Sequence, residues 1–367
     1  MFGIQRKTLV RIVTFFIFTI SYVGNASAVV SPDTSDEKDS DKKSEIKEFI
    51  QHHLKDSHDF GLASYTDASG EKVHIGFPLP VILWDDGLKV FSSSKFNHET
   101  TVAESGGDYY KIYHGMVYKT DASGIINYDE SHHPTNVRPL DLSITKSVMM
   151  ILLTGLLMIL LFRSLGNSYS KNGGIAKGIG RFFEPIVLYV RDDIAIPNIG
   201  KKHYKRYMSF LLTVFFFVWF LNMFGLTPLG VNVTGNIAIT FSLAILTFLI
   251  TNFTANKNYW KHIFWMPGVP VPMKIILAPI ELLGVIIKPF SLLIRLYANM
   301  QAGHIVLMSL IALMYLFNSI IGSTLSFFLS FAISLIEVLV ALLQAYIFTM
   351  LAALYFGMAV EEHDEAH

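Results

Sequence analysis

The 367-residue sequence contains no cysteine, which excludes disulfides, thiolate metal sites and thiol redox chemistry. It has no net charge either, since 29 Lys and Arg balance 29 Asp and Glu. No overall field would therefore recruit nucleic acid. A phosphate-binding glycine loop, a zinc-ligand spacing and a G-x-S-x-G elbow are all missing, so a membrane-bound enzyme has no support and no cofactor or metal is implied. Charge is scarce overall: 16% of residues are charged against 52% hydrophobic. The charges are crowded into the first third of the chain, which marks the remainder as a membrane protein.

The polar part comes first. Residues 1–28 read as a secretory signal, with Arg6, Lys7 and Arg11 before the apolar stretch Ile12–Val23 and an A-x-A site ending at Ala28. That stretch is short for a span and no stop-transfer follows, which favours cleavage after Ala28 over an uncleaved anchor. Ser31–Lys47 is a charged linker of disordered composition, and Ile46–Leu54 has the pattern of a short helix. Five strand-like pieces follow: Val73–Phe77, Val81–Trp84, Lys89–Phe91, Tyr109–Tyr113 and Met116–Tyr118. Turns are expected at Asp67–Gly70 and Asp121–Gly124. Residues 29–142 should thus form a small β-rich extracytoplasmic domain. Its many histidines, among them His58, His114 and His132, are expected at the surface because no spacing matches a metal-ligand set.

At Leu142 the chain changes solvent. Ser143–Phe162 supplies about the 20 residues that a bilayer requires. Tyr207–Leu226 and Ile237–Asn252 follow, and then two longer apolar segments, Ile275–Leu316 and Thr324–Met358. Basic residues gather in Arg163–Arg206 and at Lys257, Lys261 and Lys274, while the other two connections have none. By the positive-inside rule the basic loops are cytoplasmic, so five spans lead from an outside N-terminus to an inside C-terminus. The expected fold is a membrane all-α protein of five transmembrane helices, the last two long and steeply tilted, with the small β-rich domain ahead of it. The membrane domain would cover 143–363 and a cytoplasmic tail 364–367. Forty residues of helix measure roughly 60 Å against a hydrocarbon core near 30 Å. The last two segments must therefore tilt, kink at Pro279 and Pro289, or extend beyond the membrane. Pro267, Pro270 and Pro272 predict a break at the cytoplasmic surface.

Ionisable residues within these two segments carry the functional signal. Arg295 cannot deprotonate, and a charge at a bilayer centre costs about 2.5–3.5 kcal/mol on insertion scales. At 100° per residue, Ser291, Ala298, Asn299 and Ala302 lie within about 60° of it, a small or polar face that another helix can approach. His304 points about 180° away and roughly 13 Å further along. On the last segment Glu337 and Gln344 are seven apart and share a face with Ser330 and Ala341. Folding the two segments about Ile320 sets His304 level with Glu337, and Arg295 level with Gln344. Arg295 and Glu337 are then offset by roughly 10 Å. A structural arginine paired inside its own bundle is therefore disfavoured, and the anion it needs is expected on another polypeptide. His304 and Glu337 suit a proton relay, the alternative being a static buried hydrogen bond.

These residues carry a family resemblance. Glu281, Lys288-Pro289-Phe290-Ser291, Arg295-Leu296, Asn299-Met300, Ala302-Gly303, Gln344-Ala345, Phe348 and the tail Glu361-Glu362-His363 resemble subunit a of F-type ATP synthases. Asn222, Pro228 and Asn236 extend the likeness, which spans roughly 143–363. It implies a non-catalytic stator subunit of the bacterial inner membrane, with two offset proton half-channels and an essential arginine, Arg295, facing the carboxylates of a rotating c-ring. Gln344 would neighbour that arginine, and Asn299, His304 and Glu337 would belong to the outer half-channel. A b-type peripheral stalk and the remaining synthase subunits would be partners. Some members carry the acid on the arginine helix and the histidine on the last helix. The two are exchanged in this chain, which argues that they meet. Two departures stand out: Gly225 occupies a position where many relatives carry aspartate, and the N-terminal domain is enlarged. The rival class, a secondary transporter or channel with a sensing domain, would show repeated halves. Five spans without an inverted repeat do not divide that way.

Overall fold

The computed structural model describes residues 56–66, 72–97, 99–171, 178, 180–227, 231–266, 270–316 and 320–361. The signal, the linker, the Ile46–Leu54 helix and the Asp67–Gly70 turn lie outside the described residues. The chain divides into two compact units, Met1–Met150 with Thr227–Val231, and Ile151–Leu226 with Asn232–His367.

In the first unit a hairpin pairs β1 (Asp59–Thr66) with β2 (Lys72–Pro78). Two three-stranded antiparallel sheets follow. One has β3 (Pro80–Trp84) between β4 (Leu88–Ser92) and β8 (Leu140–Asp141). The other has β6 (Asp108–Tyr113) between β5 (Ala103–Ser105) and β7 (Met116–Thr120). Period-2 alternation buries Val81 and Leu83 of β3 while Trp84 stays exposed. Val81 and Leu83 join Phe91, Phe96, Tyr110, Ile112 and Val117 in one core. All five expected strands are present. The strands β1, β5 and β8 were not anticipated, because short or polar strands have too few alternating positions to signal themselves. Asp121–Gly124 is the expected turn, closed by the Gly124 amide on the Asp121 carbonyl at 3.0 Å.

Charges entering this unit are paired. Lys89 bonds Asp108, and Lys119 reaches Asp85 at 2.8 Å and Asp108 at 3.1 Å. The bond to Lys119 holds the Asp85 carboxyl below its ordinary value, and the bond to Lys89 does the same for Asp108. One expectation fails here. His58 is buried, 3% exposed, with Nε2 3.0 Å from Asp141 Oδ2. Asp56 accepts from the Thr145 hydroxyl at 2.8 Å and from the Ser147 amide at 3.1 Å. It thereby caps the first membrane helix, which has no acidic residue in its own first turn.

That helix, α1, spans Lys146–Lys171 and continues past the expected end at Phe162. The basic stretch after it is also structured: α2 (Gly180–Tyr189), a π turn (Val190–Ala195) and α3 (Ile196–Ile199). Then come α4 (Tyr204–Gly225), α5 (Ile237–Phe253), α6 (Lys257–Phe264), α7 (Val271–Leu316) and α8 (Ile320–Val360). Among the described residues four helices are long and apolar enough to cross a membrane, and a fifth span results if α5 and α6, bent by 100°, count as one. Both Pro279 and Pro289 sit inside α7 without ending it, and Pro272 occupies its second position.

The core of the second unit joins α4, α7 and α8. Leu211, Val214, Phe215 and Phe216 pack with Leu292, Leu296, Ala345, Phe348, Ala352 and Phe356. The buried stripe of α8 runs Glu337, Ala341, Gln344, Ala345, Phe348, Ala352, Phe356, Ala359. Alanines at helical spacing let the neighbouring helices approach closely, and that close stripe carries Glu337 and Gln344 into the bundle.

Candidate functional site

The long helices α7 and α8 pack against each other as a hairpin. The Ser323 hydroxyl donates to the Met314 carbonyl at 3.0 Å. Further along, a Cβ placed on Gly303 would stand 2.9 Å from Glu337 Oε1 and 3.4 Å from its Cδ. Position 303 thus faces 337, the level obtained by counting about Ile320. Glycine is what lets the carboxyl lie against the α7 backbone.

His304 and Glu337 are 5% and 8% exposed, and His304 Nε2 and both Glu337 carboxylate oxygens have no hydrogen-bond partner among the described residues. Side by side in level, they are not hydrogen-bonded to each other. Two turns along the Glu337 face, Ser330 Oγ is likewise buried without a partner among the described residues.

Arg295 is half-buried, and among the described residues no hydrogen bond or ion pair reaches it. Around it Ser291, Ala298, Asn299 and Ala302 are all exposed. Its immediate face carries exposed small or polar groups, whereas Leu292, Leu296 and Met300, about 60–140° round the helix to one side, are buried. Gln344, 3% exposed, lies on the packed stripe of α8.

The supporting positions have separate roles. Asn222, fully buried on α4, donates from Nδ2 to the Ala341 carbonyl at 3.5 Å and accepts from the Thr234 hydroxyl at 2.7 Å. Asn236 caps α5, its side chain accepting from the Ala238 amide at 3.0 Å. Lys288 Nζ lies 3.8 Å from Met358 Sδ and 5.9 Å from the Tyr355 ring centre. It lines a cavity of about 20 Å³ with Thr247, Asn252 and Tyr259, room for one water. Glu281 is half-buried two turns earlier on α7. Sequence reasoning missed Asn232, Thr234 and Gln301. The signal for Asn232 and Thr234 was a charge-free Gly/Asn/Thr-rich connection, and Gln301 lies on α7.

A multi-pass membrane protein whose paired long helices bury ionisable groups and expose one bare arginine face belongs to the ion-translocating class. Comparison with known proteins narrows this. The family described as ATP synthase A chain matches residues 148–357, and a Domain of unknown function (DUF8433) matches 49–142. The chain is 42% identical over 237 residues to ATP synthase subunit a of Chloroherpeton thalassium, covering 62% of this chain and 70% of that one. To ATP synthase subunit a of Myxococcus xanthus it is 43% identical over 235 residues, 62% and 77% of the two chains. To ATP synthase subunit a 2 of Prosthecochloris aestuarii it is 36% identical over 309 residues, 79% and 94%. The chain belongs to the F-type ATP synthase subunit a family, a family of proton-translocating subunits of the membrane sector.

Proposed function

We propose that this chain is the stator subunit that carries both proton half-channels of an F-type ATP synthase, with Arg295 as the separator between them. The observation that carries the reading is Arg295 itself: a permanent cation without an ion pair among the described residues, on a face of exposed Ser291, Ala298, Asn299 and Ala302. A cation inside a bilayer is kept where an anion meets it, and small residues let a second helix come close. A carboxylate on a rotating c-ring fits that face. His304, Glu337 and Asn299 belong to the outer half-channel, and Gln344 flanks the arginine. A proton entering from outside reaches a ring carboxylate, travels with the ring, and leaves to the cytoplasm because Arg295 repels the protonless short way. The subunit itself performs no bond-making chemistry.

Partners follow from that role: the c-ring, a b-type peripheral stalk and the remaining synthase subunits. The distribution of Lys and Arg places the mature N-terminus in the periplasm and the C-terminus in the cytoplasm of a cell inner membrane. On this reading residues 1–28 are removed, 29–142 are periplasmic, 143–363 form the membrane domain and 364–367 the tail. N-terminal sequencing should begin at Val29, and a start at Met1 would refute the cleavage.

The decisive test is Arg295→Ala in vesicles that hold the assembled complex. ATP-driven proton pumping, followed by dye quenching, should be abolished while ATP hydrolysis by the soluble sector persists. Arg295→Lys should fail as well, because a point ammonium lacks the fixed guanidinium fork. Near-normal pumping in either variant refutes the separator role. Purification distinguishes the transporter alternative: a stator subunit arrives with a ring and stalk, a transporter without them.

A further inference from the structure

Residues 231–234 of the connection between α4 and α5 are buried where a surface loop would be usual. Asn232 is 8% exposed, Val233 1% and Thr234 3%. Buried away from water, its polar groups need partners, and they find them on α4 and α7, with α8 reached through Asn222. The Thr234 hydroxyl donates to Asn222 Oδ1 of α4 at 2.7 Å, and Asn222 Nδ2 donates to the Ala341 carbonyl of α8 at 3.5 Å. Asn232 Nδ2 donates to Gln301 Oε1 of α7 at 3.2 Å. The Gly235 amide holds Asn232 Oδ1 from behind at 2.9 Å. A Cβ at 235 would collide with the Asn232 side-chain amide and push it off these bonds.

The level of these contacts is informative. With Gly303 facing Glu337, Gln301 stands level with position 339 and Ala341 with position 299. Both lie between the His304/Glu337 level and the Arg295/Gln344 level. Gln301 is about 60° from His304 around α7 and about 120° from Arg295. The bonds therefore cross the bundle interior, behind the face that Arg295 shares with Asn299. Deeper still the interior is mostly apolar, with Leu211, Phe215, Leu292, Leu296 and Phe348 buried alongside the uncharged Gln344 and Thr349. Amide and hydroxyl groups held by one another have no ionisable site near neutral pH on which a travelling proton could rest.

Resting on the stator reading, we propose that Asn232, Thr234, Asn222 and Gln301 form a seal across the bundle interior. A proton held at His304 or Glu337 is barred from moving straight inward between α4, α7 and α8. It leaves only over the open face of α7, where a ring carboxylate would receive it. These are positioning residues: they touch no transported proton and keep the outer path from joining the cytoplasmic side.

The test uses vesicles containing the assembled complex, its ring carboxylates blocked with a carbodiimide. Proton leak is measured after an imposed pH gradient and normalised to assembled complex. Asn232→Ala and Gln301→Ala should each raise this ring-independent leak about tenfold, equivalent to about 1.4 kcal/mol of barrier. The double variant should leak no more than the worse single one, because both remove one bond. Gln301→Met keeps the side-chain length and serves if the alanine variant assembles poorly. A leak equal to wild type in Gln301→Met, or one that carbodiimide abolishes, overturns the seal. Carbodiimide-sensitive pumping by the wild type is scored separately: its absence overturns the stator reading, and its presence with an unchanged leak overturns the seal alone.

Discussion

Gly357→Ala should be among the most damaging small substitutions in the membrane unit. A methyl at this position, on the last turns of α8, would collide with the Asn198 carbonyl oxygen and stand 3.0 Å from its carbon. Both atoms are backbone, so no rotamer change relieves the clash. The four-residue helix α3 must retreat by roughly 1 Å, and overpacking of this kind costs about 1–3 kcal/mol. Retreat also draws the Asn198 side-chain amide, which donates to Ile194 O at 2.8 Å, away from Met350 Sδ of α8 at 3.5 Å. Buried Ile194, Ala195 and Ile199 belong to the same core as Phe356, and its packing would loosen. For a loss of 2 kcal/mol the folded-to-unfolded ratio drops by roughly 30-fold. The assay is thermal aggregation of the purified assembly in detergent, with Gly155→Ala as the control. A Cβ at Gly155 meets nothing within 4 Å, and alanine in a helix interior is worth about 0.5–1 kcal/mol over glycine. The variants should move in opposite directions. If Gly357→Ala melts with or above wild type, α3 is not pressed against α8 as described.

Two further outcomes follow from the geometry. Cysteine pairs at 304/337 and at 295/344 should cross-link on oxidation in membranes, with no native thiol to interfere, and the 295/337 control should not; equal yields would break the hairpin register. In the first unit, bonding to Lys119 and Lys89 lowers the pKa values of Asp85 and Asp108. Their stabilisation is then complete above the ordinary aspartate value of 3.8 and lost as pH falls through the lowered folded-state values. Proteolysis of residues 72–141 in the intact chain should accelerate only below about pH 4, whereas a sharp onset near pH 6 would assign the acid sensitivity elsewhere.

Much of the architecture was legible in the residues alone, for reasons that differ by element. Spans are visible because transfer to a bilayer is a property of each segment by itself, so the starts of α4 and α5 fall within three residues of the expected Tyr207 and Ile237. The level of Glu337 against position 303 was also countable, since helical rise is constant once a hairpin is assumed. Strands β2, β3, β4, β6 and β7 announced themselves by alternation. What the counting could not supply was direction across space. His304 and Glu337 reach the same level without bonding, because level says nothing of where each carboxyl or ring nitrogen points. His58 is buried by Asp141, a partner 83 residues away, and no local pattern encodes such a pairing. Likewise Asn232 and Thr234 belong to a stretch that reads as an ordinary polar turn. Only the packing of α4, α7 and α8 brings Gln301, 69 residues on, and Asn222 within reach. A polar side chain's partner depends on the whole fold, whereas its hydropathy and helical phase depend only on its neighbours in the chain.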